Sequence, residues 1–233
     1  MLKVAQPDRP DALTWVFLGL GLLLLPVGLY LALSAPPDVN QGYLVRIMYL
    51  HVPSVLVAYL AFGVVLVASV LYLWRRWEGA DRLAHASAEA GVIFTAVTIS
   101  SGAIWGKPTW GTWWTWDARL TSAAILFVMY LGYLLLRAMI EDRERAARYA
   151  AVLGIVAALD IPLVHFSVYW WRTLHQPPTL LRPGPPALAP VFLVTLLVNV
   201  VAFALLYAYL VSKRVALLRR EQEREFSLGN KAA

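Results

Sequence analysis

The chain has 233 residues, 60% of them apolar and only 15% charged, with a mean hydropathy of +0.64 and a formal net charge of +6. Soluble domains run near 45–50% apolar with about a quarter of residues charged, so a water-soluble enzyme and a disordered chain are both excluded. Cysteine is absent, which removes disulfides, thiolate metal sites and covalent haem attachment through paired cysteines, and leaves ten tryptophans to account for.

A bilayer crossing needs about 20 apolar residues, and six stretches qualify, at roughly 12–34, 50–74, 86–105, 120–140, 146–166 and 187–211. The first follows a polar start (Lys3, Asp8, Arg9) and is too long, without a small-residue cleavage site, to read as a signal peptide. The others are closed by Arg75-Arg76, Gly106-Lys107-Pro108, Glu141-Asp142-Arg143 and Pro177-Pro178. Backbone facing lipid must satisfy itself, and alternating segments of about ten residues are missing, so helices are predicted and a barrel is not. The expectation is an all-α integral membrane protein, one six-helix domain over 1–233, with no internal repeat. Fifteen of the 20 basic residues fall at the termini and in the second and fourth connections; five (Arg46, Lys107, Arg119, Arg172 and Arg182) fall on the other side. The positive-inside rule then predicts that both termini are cytoplasmic. The basic excess belongs to insertion and the inner leaflet, so no nucleic-acid partner is implied.

The outer connections, at about 35–49, 106–119 and 167–186, hold most of the unusual chemistry. Seven tryptophans lie there: Trp105, Trp110, Trp113, Trp114, Trp116, Trp170 and Trp171. An aromatic belt accounts for Trp15, Trp74 and Trp77, and could account for Trp105. It does not account for four indoles between 110 and 116. If 109–117 were helical, Trp110, Trp113, Trp114 and Asp117 would recur at i, i+3, i+4 and i+7 on one face, a platform for a flat π-system. Three of four histidines, His51, His165 and His175, also fall outside, while His85 reads as a solvated helix end. Paired imidazoles with apolar walls and the five outer cations permit a haem site without requiring one. Asp117 precedes the fourth span and suits an N-cap. Asp160 lies within the fifth span, where a carboxylate is costly and is a functional candidate or a partner within the bundle.

The run from Trp105 to Ser122, WGKPTWGTWWTWDARLTS, resembles the WWD motif of the haem-handling superfamily used in cytochrome c biogenesis. With Arg46-Ile-Met-Tyr-Leu-His-Val-Pro53, the segment Ile161–Gln176 and the short six-span chain, it resembles the haem exporter protein C family (CcmC) over about 40–210. That resemblance implies haem b as the ligand, with His51 and His175 on its iron and His165 uninvolved. It implies a platform of Trp110, Trp113, Trp114, Trp116 and Asp117 at the periplasmic surface of the inner membrane, with Arg119 in the same motif. It also implies the partners CcmA, CcmB and CcmD, and the periplasmic chaperone CcmE as acceptor. No P-loop, triad or hydrolase motif occurs, so binding and presentation are expected in place of catalysis. A pore should carry polar residues through the bilayer, and a transmembrane electron carrier should have histidines on both sides; neither pattern fits.

Overall fold

The computed structural model describes residues 12–232, so the expectations on Lys3, Asp8 and Arg9 lie outside the described residues. The described chain is helical, with six helices long and apolar enough to cross a membrane. Helix α1 spans Ala12–Ser34, α2 Met48–Arg75, α3 Glu78–Trp110, α4 Ala118–Met139, α5 Arg143–Ala158, α6 Asp160–Trp170 and α7 Pro190–Ala232. A 3-10 turn over Tyr43–Ile47 leads into α2, and α5 with α6 forms the fifth crossing.

α2 is the centre of the bundle, packed along α3 and against α5 and α7, while α1 packs on α7. Between helices in lipid there is little hydrophobic driving force, so close van der Waals packing and small residues must hold them together. The contacts follow that rule. Ala61, Phe62 and Val65 of α2 are fully buried, and Phe62 stacks on Tyr130 of α4 at 3.7 Å between ring centroids. A Cβ on Gly91 of α3 would collide with the Phe62 ring, so only glycine admits it. On the other flank Asn199 Nδ2 donates to the Gly28 carbonyl at 3.1 Å, joining α1 to α7.

One end of the bundle is held by ion pairs. Arg137 of α4 donates twice to Asp81 of α3, at 2.6 and 2.9 Å, and Arg214 of α7 donates to Glu89 at 2.7 and 3.0 Å. The opposite, tryptophan-rich end carries the three connections 35–47, 111–117 and 171–189.

Two elements differ from their sequence reading. The proposed helix over 109–117 does not form. Instead α3 continues past Gly106-Lys107-Pro108 to Trp110 and stops at Gly111, whose φ of 79° is the left-handed conformation that glycine takes most easily. Its N–H caps the Lys107 carbonyl, and Lys107 Nζ donates to the Gly111 carbonyl. The fifth crossing also breaks at Leu159. Pro162 has no N–H to return to the Ala158 carbonyl, so the hydrogen-bond ladder lapses there and α6 restarts at Asp160.

Candidate functional site

The sequence positions His51 in the first turn of α2, at the tryptophan end, against a stripe on α3. Thr98, Ser101, Gly102 and Trp105 recur at i, i+3, i+4 and i+7, so one α3 face offers carbonyl, hydroxyl, bare backbone and indole. His51 Nδ1 is 3.1 Å from the Thr98 carbonyl and 3.1 Å from Ser101 Oγ. A carbonyl only accepts, so Nδ1 carries the proton and Nε2 keeps its lone pair. The Trp105 ring stands edge-on to the imidazole at 5.8 Å, and its Nε1 donates to Gln41 Oε1.

His175 comes from the irregular stretch between α6 and α7. Two features bring it to the same place. The Asp117 carboxylate caps α4 by accepting from the Leu120 N–H at 2.9 Å, and its other oxygen accepts from the Leu174 N–H at 3.1 Å. The Trp110 ring lies against His175 at 4.6 Å, and Gly106 makes room for that ring, since a Cβ there would sit 3.0 Å from it. Burial, with the Arg119 guanidinium adding to it, pushes His175 from the ordinary 6.5 down to about 3. The ring is therefore neutral at physiological pH, the form that binds a metal.

His51, Gly102, Arg119 and His175 line two adjoining cavities of about 170 and 60 Å³. Met48, Val52, Trp105 and Trp110 supply the apolar wall of the larger one. Three polar atoms here are buried without a protein partner: His175 Nδ1, Arg119 Nη1 and Tyr59 Oη, which belongs to the smaller cavity. Unpaired buried groups are costly, and these three lie together at the two cavities, where a ligand or water would pair them. Among the described residues no three His, Asp or Glu side chains gather to hold a bare metal ion. Two imidazoles, apolar walls and a buried cation suit an ion that brings its own flat, anionic ring. The space is below the 300–1,000 Å³ usual for an enclosed small-molecule site, so such a ring fits only with an edge left outside or the 171–189 segment displaced.

The remaining predicted residues divide. Trp110 and Arg119 line the cavity. Trp113, Trp114 and Trp116 lie on the turn between them; Trp114 and Trp116 meet edge to face at 5.5 Å, and Trp113 and Trp116 are largely exposed. Asp117 works through its two backbone hydrogen bonds. His165 lies outside both cavity linings, with Nε2 2.9 Å from the Leu181 carbonyl. Asp160 is buried at the α5–α6 break with Oδ2 unpaired. Sequence reasoning left Trp105 open between the aromatic belt and the tryptophan run, and passed over Gln41, Thr98, Ser101, Gly102 and Tyr59. The polar stripe on α3 was the available signal.

An end built this way gives a helical membrane protein with two imidazoles, apolar walls and a buried cation gathered at the rim of its bundle, and comparison with known proteins gives the class a name. The chain belongs to the Heme exporter protein C family, whose model matches residues 4–227. It is 44% identical over 227 residues to the Heme exporter protein C of Bradyrhizobium diazoefficiens, covering 94% of this chain and 86% of that one. The Haemophilus influenzae protein of the same name is 41% identical over 212 residues, 90% and 86% of the two chains. A putative cytochrome c biosynthesis ccmC-like mitochondrial protein of Marchantia polymorpha is 37% identical over 184 residues, 77% and 78%. Membership places the chain among the multi-pass membrane proteins that handle haem.

Proposed function

We propose that this protein binds haem b at the periplasmic face of the bacterial inner membrane and presents it for transfer to the chaperone CcmE during cytochrome c maturation. It works beside CcmA, CcmB and CcmD, and its own part is binding and release without catalysis. His51 and His175 are the axial ligands. Trp110 walls the ring, Trp113, Trp114 and Trp116 shield the edge that the cavity cannot enclose, and Arg119 faces a propionate. Asp117 holds the two outer segments in register. The observation that supports this reading most directly is that His51 and His175, far apart in the sequence, line the same two adjoining cavities.

The test is transfer. Cells co-expressing this chain, its ABC partners and the chaperone should accumulate chaperone that keeps haem through denaturing electrophoresis. Trp113→Ala together with Trp116→Ala should reduce that product several-fold, because both indoles are exposed beside the site and neither packs the core. Undiminished transfer in the double variant would remove those indoles from the platform. No transfer in any strain, with the acceptor folded and present, would sink the function.

A further inference from the structure

The two imidazoles are built into the protein in unlike ways. His51 is locked. Its Nδ1 proton is committed to the Thr98 carbonyl, with Ser101 Oγ equally near, and Ser101 Oγ is itself held by donating to the Val97 carbonyl at 2.6 Å. The ring also lies close on the α3 backbone, where a Cβ on Gly102 would come within 2.9 Å of His51 Cε1. Nε2 is thus the only nitrogen on offer, and helices α2 and α3 aim it.

Nothing comparable holds His175. It stands in a stretch without regular structure, and Nδ1 is buried with no hydrogen-bond partner. What fixes it is indirect: the flank of the Trp110 ring, the Leu174 N–H on Asp117, and the Thr173 hydroxyl on its own carbonyl at 3.3 Å. Neither its tautomer nor its rotation is set by a hydrogen bond. An imidazole whose second nitrogen donates to a carbonyl is more basic and already oriented, and losing such support typically costs about 10–100-fold in metal affinity.

We infer that the two ligands have separate tasks: His51 is the anchor that retains the iron, and His175 is the ligand that leaves first when another donor approaches. The inference rests on the haem reading above. In the exchange the His175–iron coordination bond breaks and its electron pair stays on the ring nitrogen. The lone pair of an incoming imidazole or similar neutral donor fills the vacated position. No electron changes hands and no proton has to move, so the step needs no further reactant. It also sets a direction, since the donor must arrive from the side of the 171–189 segment and not through the helices.

Visible spectroscopy of the protein in detergent, with its haem content, separates the ligands. His175→Gly should keep haem to within about two-fold of the unaltered protein in a five-coordinate form, and free imidazole should restore the six-coordinate spectrum. His51→Gly should lose haem by about ten-fold or more. Equal losses in the two variants, or the reverse order, would overturn the inference while leaving haem binding intact; an unaltered protein with no Soret band would overturn both. A second measurement needs no variant. With ferrous haem, carbon monoxide takes one axial position, and diethyl pyrocarbonate labelling read by peptide mass mapping reports which imidazole was freed. Modification of His175 should rise several-fold on adding carbon monoxide, with His51 unchanged. A rise at His51 would contradict the assignment.

Discussion

Asp117 accepts from the Leu120 N–H and the Leu174 N–H, so one carboxylate caps α4 and ties down the segment that carries His175. Replacing an N-cap by alanine costs about 1 kcal/mol, and the second hydrogen bond adds about as much again. Asp117→Ala should therefore lower the thermal midpoint modestly and, by loosening His175, shift bound haem toward the five-coordinate form while haem content falls little. Asp117→Asn, which still caps, should fall between. Equal six-coordinate fractions in all three proteins would mean that the carboxylate does not position His175. The acid side of the site follows from His175 itself. Its proton affinity is depressed in the folded state, so that part of stability is fully present above the ordinary 6.5 and is lost as pH falls toward about 3. Thermal midpoints taken from pH 7 down to pH 4 should drop, and His175→Gln should remove part of that slope. A slope identical in the variant would contradict the buried neutral ring.

At the scale of elements, the bundle depends on small residues and on one desolvated ion pair, Asp81–Arg137. Gly91→Ala would press a methyl into the Phe62 ring that stacks on Tyr130, and overpacking of this kind costs about 1–3 kcal/mol. Asp81→Ala leaves Arg137 buried without its carboxylate, for which about 3–5 kcal/mol is typical; removing both partners should cost less than removing one. Unfolding in detergent checks both, and a double variant as unstable as the single one would deny the pairing. The crossings were legible because lipid demands long apolar runs, and all six appear where hydropathy puts them. Their ends were less so. Hydropathy cannot see that α3 runs on through Lys107 and Pro108, because a helix end past the lipid is settled by a left-handed glycine at 111 and not by polarity. The tryptophan periodicity misled for the same reason: 3.6-residue spacing describes a face only where the backbone is helical. Trp110 reaches the cavity from the last turn of α3, while Trp113 to Trp116 follow a turn. His51 and His175 stood out as scarce residues in outer connections, but which nitrogen His51 offers was invisible until α3 supplied the Thr98 carbonyl.

At the scale of the whole molecule, charge and chemistry lie at opposite ends. Arginine-rich pairs tie α3, α4 and α7 at one end, and the aromatic cavity opens at the other. α7 is about 65 Å long by its residue count, roughly twice the hydrocarbon thickness, so its charged C-terminal half projects beyond the bilayer. The sequence contains no cysteine, so single cysteines report orientation without background. One placed at Asn40 should react with an impermeant maleimide in intact cells, and one at Glu225 only after lysis; the reverse would invert the proposed topology. The central claim is that two imidazoles at the tryptophan end hold one haem. It is tested most directly by low-temperature electron paramagnetic resonance of the ferric protein purified in detergent. The account predicts a low-spin bis-imidazole signal that becomes high-spin in both His51→Gly and His175→Gly, however unequal their haem contents. A high-spin signal in the unaltered protein, or a low-spin signal untouched by either substitution, would contradict it.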